Sequence, residues 1–298
     1  MNQTVITTQN LCKKFCKHEV IDDLELSVPQ GSIYGFLGKN GAGKTTTIRM
    51  LMGLLPPEKG NISVLGLDPF KNGIAMKRRV GYVADQPYFY DRMKVSELIG
   101  FVRDYYPDWD RQFEKELQRD FHLDGEKKVG ELSRGMTAKL SLLLALSHRP
   151  ELLILDEPTN GLDPAARREF VEGILSHYQD EGRTVFISSH LVNEIAGIVD
   201  HVGILKGGRL MRDQRADELR KQVRAIRLVY TNGLIPSSRE VDGILSSKVN
   251  GREWDLIVDG YSEKTEQQIR GLGADEITWP ELSLEDIFIA LLPSEEEA

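Results

Sequence analysis

The sequence predicts an α/β fold with a mostly parallel sheet, and three observations lead there. Leu152, Leu153, Ile154 and Leu155 are apolar at every position, as in a strand covered on both faces. Strand-like runs recur along the first two thirds of the chain, with helical patterns between several of them. A glycine-rich turn joins the short apolar run of Ile33, Tyr34, Phe36 and Leu37 to an amphipathic helix.

Taken in order, residues 5–7, 24–28 and 33–37 read as strands. After the turn, Ile48, Leu51, Met52 and Leu55 follow the i, i+3, i+4, i+7 spacing of a buried helix face. Residues 62–64 form another strand-like run. Between about 95 and 148 the strands disappear: Val95, Leu98, Ile99 and Val102 make one helical face, Phe113, Leu117 and Phe121 a second, and Met136, Leu140, Leu143 and Leu144 a third. A helical subdomain, about 86–150, is thus inserted into the α/β core. Strands return at 152–155, 185–188 and 202–205. A charged stretch at 212–224 reads as a linker or connecting helix. Residues 225–298 then form a small α+β accessory unit, with strands at 225–230, 254–258 and 276–279 and helices at 263–272 and 284–291.

The turn carries the first chemistry. Gly38-Lys39-Asn40-Gly41-Ala42-Gly43-Lys44-Thr45 fits G-x-x-x-x-G-K-[ST], a P-loop lying between strand and helix. Glycines let backbone N–H groups wrap a phosphate, and the new helix adds unpaired donors and its positive end. Lys44 is placed to reach the β- and γ-phosphates and Thr45 to ligate Mg²⁺.

Downstream, the strand at 152–155 ends in Asp156-Glu157. Two acids after a strand can be a solvated turn, but ligands of open α/β sheets gather at strand carboxyl ends, beside the P-loop. There Asp156 suits Mg²⁺ and Glu157 suits a general base for attacking water. His190 ends the run 185–189, where it can hydrogen-bond a γ-phosphate oxygen or the water. Ser133 and Gly135, before the helix carrying Leu140, read either as an N-cap and a turn residue or as a second anion-binding helix end.

Bulk properties narrow the class. The 298 residues allow two domains, and 40% hydrophobic with 28% charged residues is ordinary globular composition. A net charge of −8 argues against a general affinity for nucleic acid or anionic lipid. No run approaches the roughly 20 apolar residues of a membrane span, and the N-terminus lacks a signal-peptide pattern, so a cytoplasmic location is expected. Cys12 and Cys16, with His18 nearby, fall short of a metal site and read as small core residues.

Together these residues resemble the ATP-binding subunit of an ABC transporter over about residues 4–210. Residues 38–45 match the family's Walker A, Leu132-Ser133-Arg134-Gly135-Met136 its signature loop, residues 152–157 its Walker B, Asn160-Gly161-Leu162-Asp163 its D-loop, and His190 its switch histidine. Phe15 stands at the aromatic position that stacks on adenine. The signature departs from the commonest Leu-Ser-Gly-Gly-Gln but keeps Ser133 and Gly135. At the Q-loop, Asp85 stands where the family has Gln or Glu, with Gln86 one residue late, leaving the identity of that Mg²⁺ contact open between them.

The resemblance implies a P-loop NTPase core of ABC ATPase type occupying residues 1–211. It implies ATP and Mg²⁺ as cofactors, held by Phe15, Gly38, Asn40, Gly41, Ala42, Gly43, Lys44, Thr45 and Thr46, with the metal at Thr45, Asp156 and Gln86. Catalysis is expected from Glu157, His190 and Lys44. Ser133, Gly135 and Asp163 are expected to act across a head-to-tail dimer, on the ATP of a second ATPase subunit. Integral membrane permease subunits and a peripheral position on the cytoplasmic side follow. The Met136 that ends the signature, the separate ATPase chain and the appended region ending in Leu284-Glu285-Asp286-Ile287-Phe288 look most similar to bacterial ABC-2-type exporter subunits, which implies export. Aromatic residues Tyr88, Phe89, Tyr90, Tyr105, Tyr106 and Trp109 serve either as the permease-docking surface or as packing of the helical subdomain. A non-transport assembly or regulatory ATPase is the alternative; one-chain tandem ATPases and coiled-coil repair ATPases are disfavoured by the single motif set and absent heptads.

Overall fold

A computed structural model describes residues 3–178, 182–231 and 241–292. The chain divides into two compact units, one of Met1–His190 with Ile198–Asp213 and one of Leu191–Gly197 with Gln214–Ala298.

In the first unit, β1 (Thr4–Phe15) and β2 (His18–Pro29) form an antiparallel hairpin that pairs Phe15 with His18. β3 (Ile33–Gly38) is buried throughout and runs through the glycine turn into α1 (Lys44–Leu51). β4 (Lys59–Val64) adds to β1 and completes a sheet of order β2-β1-β4. Next come α2 (Gly73–Lys77) and β5 (Val80–Val83), then α3 (Val95–Arg103), α4 (Arg111–Asp120) and α5 (Arg134–Leu146). Asp110 caps α4 by accepting from the Gln112 and Phe113 amides, and Ser133 caps α5 by accepting from Met136 N. No strand lies between β5 and β6 among the described residues, as the run of helical faces predicts. β6 (Leu152–Asp156), α6 (Pro164–Tyr178), β7 (Thr184–Ser189), β8 (His201–Lys206) and β9 (Arg209–Arg215) finish the core, in a sheet ordered β5-β6-β7-β3-β8-β9.

The pairs β5·β6, β6·β7, β7·β3 and β3·β8 are parallel, so their carboxyl ends open on one edge. β6 lies between two neighbours and is buried at all its residues, which explains its unbroken apolar sequence. One hydrophobic core joins the two sheets and α1 through Ile6, Leu24, Ile48, Leu51, Ile154 and Phe186. Phe186 stacks on Tyr34 at 5.5 Å between centroids and tilts against Phe36 at 5.2 Å.

Two strands of this unit carry no clear sequence pattern. β5 has four residues, one of them Gly81, whose missing Cβ would sit 2.4 Å from the Ala145 carbonyl; glycine lets α5 approach the sheet. β9 alternates exposed and half-buried residues, most of them polar, at the sheet edge and occupies part of the charged stretch read as a linker. The cysteine expectation is corrected: Cys12 is only half-buried and Cys16 is exposed, at φ 55° in the β1–β2 turn, because the hairpin end projects beyond the core.

The second unit contains α7 (Val192–Ile195), α8 (Ala216–Gln222), β10 (Arg224–Val229), β11 (Ile244–Asn250), β12 (Glu253–Val258), α9 (Glu263–Gly271), β13 (Glu276–Thr278) and α10 (Leu284–Leu291). Its antiparallel sheet is ordered β11-β12-β10-β13 around a core of Leu228, Trp254, Leu256 and Ile269. β11 escapes pattern reading because it is an edge strand with mostly exposed side chains. A capping box of Ser283 and Asp286 starts α10, the helix that carries the terminal motif.

Replacing Phe186 by Ala removes the ring at the centre of the first core and is expected to cost about 3–5 kcal/mol. Denaturant unfolding of the two proteins checks this; a loss below about 1 kcal/mol would mean that Phe186 is not a core residue.

Candidate functional site

The glycine turn sits at the carboxyl edge of the parallel sheet. Gly41 and Gly43 adopt φ of 79° and 109°, conformations that favour glycine. At Gly43 a Cβ would also meet Ile21 Cδ1 at 2.5 Å and the Val20 carbonyl at 3.0 Å. The helix that follows has no side-chain cap and no acid in its first turn, so its leading amides remain for an anion.

A cleft of about 390 Å³ opens over this helix end, lined by Asn40, Gly41, Gly43, Lys44, Thr45 and Thr46 from the turn and helix. Phe15, His18 and Val20 wall one side, and Asp85, Glu157 and Asn160 also line it. Gly38 and Ala42 are buried behind the lining; Ala42 N closes the turn on the Lys39 carbonyl at 3.1 Å. Phe15 is 47% exposed, leaving ring surface for stacking.

Lys44 is buried, and its ammonium donates to the Gly38 carbonyl at 2.7 Å and pairs with Glu157 Oε1 at 2.9 Å. The other Glu157 oxygen accepts from His190 Nδ1 at 2.7 Å. Glu157 holds φ 47°, a strained conformation for a side-chain-bearing residue, and its amide donates to Ser188 Oγ at 2.9 Å. Asp156 Oδ1 accepts from Thr45 Oγ1 at 3.1 Å and from Ser188 Oγ at 2.9 Å. Burial pushes the Asp156 carboxyl above the usual aspartate range; the Ser188 and Thr45 hydroxyls oppose that shift, while Asp85 and Glu157 add to it. The Thr45 hydroxyl and the Asp156 carboxylate oxygen, side by side at the head of α1, are hard donors that suit magnesium.

The structure thus gathers Phe15, Asn40, Lys44, Thr45, Asp156, Glu157 and His190 at one edge. Ser133, Gly135 and Asp163 do not line that cleft. Ser133 caps α5, Gly135 packs toward Ala166, and Asp163 accepts from the Ala165 and Ala166 amides at the start of α6. Gln86 is corrected as a cleft residue. It is exposed and lines a neighbouring cleft of about 500 Å³ with Arg134 and Thr137, whereas Asp85 lines both. Asp85 and Gln86 lie at a bend just after β5, and a one-residue offset there changes which cleft a side chain lines.

Sequence reasoning missed His18, Val20 and Ser188. The first two follow from the hairpin that sets His18 opposite Phe15; Ser188 had the same strand-end signal as His190. Among the aromatics, Trp109 is buried and donates to Glu114, and Tyr106 stacks on His148, whose burial lowers it to about 4. Those two are packing residues. Tyr88, Tyr90 and Tyr105 are exposed, and Phe101 meets Tyr90 and Tyr105 edge-on at 6.2 and 5.5 Å.

A glycine turn at the head of a helix, between parallel strands and facing two strand-end acids, defines a P-loop nucleotide-binding protein. The ABC transporter family profile matches residues 21–160. The bacitracin transport ATP-binding protein BcrA of Bacillus licheniformis is 37% identical over 309 residues, spanning 97% of each chain. Its namesake from Enterococcus faecalis is 32% identical over 301 residues, with 97% of this chain and 96% of that one covered. A solved structure of an ATP binding subunit of an ABC transporter superposes with a TM-score of 0.67 at 27% identity, covering 74% of this chain and 93% of that one. This chain belongs to the ATP-binding subunits of ABC transporters, and it is an ATPase. No described helix is long and apolar enough to cross a membrane.

The Asp156 shift sets a pH dependence. Its folded value lies above its unfolded one, so its stabilising contribution is full below the usual aspartate range and is lost as pH rises through the folded value. In metal-free buffer Asp156→Asn should therefore melt above the parent at neutral pH, the gap closing toward about pH 4. Thermal melts at both pH values check this, and a pH-independent gap would contradict it.

Proposed function

We propose that this chain powers an exporter by hydrolysing ATP with Glu157 as general base. The juxtaposition of Lys44–Glu157 with Thr45–Asp156 at the head of α1 carries this reading. Lys44 and the turn amides take the β- and γ-phosphates, Thr46 adds a contact, and the adenine stacks on Phe15. When the triphosphate replaces Glu157 on Lys44, one anion substitutes for another on a buried cation, and the carboxylate is released toward the attacking water. His190 orients that carboxylate through Nδ1. Thr45 and Asp156 hold Mg²⁺, with Asp85 in place of Gln86 beside them; the ion supplies charge neutralisation for the β- and γ-phosphates.

Ser133 and Gly135 act in trans, on the ATP of a second subunit, with Asp163 at the same contact. Their position outside the chain's own phosphate cleft supports this. ATP at the shared face closes the pair and hydrolysis loosens it, which moves permease subunits between two states. The chain then works as a peripheral subunit on the cytoplasmic face. Two relatives covered along nearly their whole length are named for bacitracin transport, which favours transport over a non-transport role and makes bacitracin the first cargo to test. The exposed Tyr90–Phe101–Tyr105 cluster is the docking surface for the permease.

Glu157→Gln should retain ATP binding and lose about 10²–10⁴-fold in turnover, roughly 3–5 kcal/mol of barrier. Steady-state hydrolysis beside equilibrium binding tests the role, and parental turnover would remove it. Tyr90→Ser with Tyr105→Ser should sharply reduce recovery of the permease on affinity purification while basal ATPase activity persists. Undiminished recovery would assign docking to another surface.

A further inference from the structure

Asp85 and Asn160 are the two residues that line both clefts. Their side chains are joined, with Asn160 Nδ2 donating to Asp85 Oδ1 at 3.0 Å. On one side of this bond lie Lys44, Thr45 and Glu157; on the other lie Arg134 and Gly161. The bond is therefore a partition between the phosphate cleft and the cleft at the head of α5.

Each end is anchored differently. Asn160 N donates to the Glu157 carbonyl at 3.0 Å, which ties it to the turn that carries the general base. Asp85 lies two residues beyond the end of β5, in a segment without regular structure. A carboxylate on such a segment loses rotamer freedom when it is recruited to a metal, and a donor that orients it beforehand lowers that cost. Asn160 engages only Oδ1, and Oδ2 has no hydrogen bond among the described residues.

We propose that Asn160 is a positioning residue that holds the Asp85 carboxylate in the phosphate cleft as an outer support of the metal site, and so links that site to the cleft at the head of α5. The inference rests on the ATP and Mg²⁺ site proposed above. Asn160 is exposed, so its side chain can be changed with little loss of packing.

Binding of a fluorescent ATP analogue to the purified full chain, titrated with MgCl₂ and repeated in EDTA, tests this with Asn160→Ala, Asp85→Ala and the double variant. In Asn160→Ala the half-saturating Mg²⁺ concentration should rise about 10- to 100-fold, as for other outer-shell supports, with affinity in EDTA and the unfolding midpoint at parental values. The double variant should match Asp85→Ala, because Asn160 acts only through Asp85. Parental Mg²⁺ dependence in Asn160→Ala, an equal loss with and without Mg²⁺, or additive effects in the double variant would each overturn the proposal. A parent chain that binds no analogue in either buffer would instead overturn the ATP site and leave the hydrogen bond as a structural contact.

Discussion

A buried lysine sets the terms for the rest of the site. The Lys44 ammonium is almost fully removed from water, and a charge in that position is tolerated only with close, well-directed partners. It has the Gly38 carbonyl and the Glu157 carboxylate. Both must be brought to one point by elements far apart in the chain, β3 with its glycine turn and the end of β6. Parallel pairing through β7 meets that demand, because it aligns the carboxyl ends of three strands on one edge.

The second layer of contacts follows from the first. Ser188, at the end of β7, binds both the Asp156 carboxylate and the Glu157 amide, so a single hydroxyl sets the spacing of the two acids. His190, two residues on, takes the remaining Glu157 oxygen. Glu157 departs from ordinary backbone geometry here, and that strain is sustained because lysine, serine and histidine all hold it. Asp85 and Glu157 each act on Asp156 as a like charge and add to the upward shift that burial gives its carboxyl.

Away from that edge, the helical region divides its aromatic residues by burial. Tyr106 and Trp109 fill the space beside His148 and Glu114, while Tyr90, Phe101 and Tyr105 remain as an exposed edge-on cluster. The second unit has its own core around Trp254 and Leu256, as its separate run of apolar alternation led one to expect. Its β11 and the first unit's β9 show where such alternation fails: edge strands bury little, so their residues are free to be polar.

By itself, the sequence determined the P-loop, the strand carrying Asp156 and Glu157, the stretch without strands and the small terminal unit. Each is encoded locally, by glycine at positive φ, by apolar periodicity or by an unbroken apolar run. Tertiary structure alone decided which residues share a cleft. It set Asp85 and not Gln86 on the cleft that Lys44 lines, added His18 and Val20 to that cleft, put Ser188 against Asp156 and the Glu157 amide, and split the aromatics into buried and exposed sets. The reason is physical: a side chain's direction on an irregular segment, and its partner across a sheet, depend on strand order and register, which no local pattern specifies.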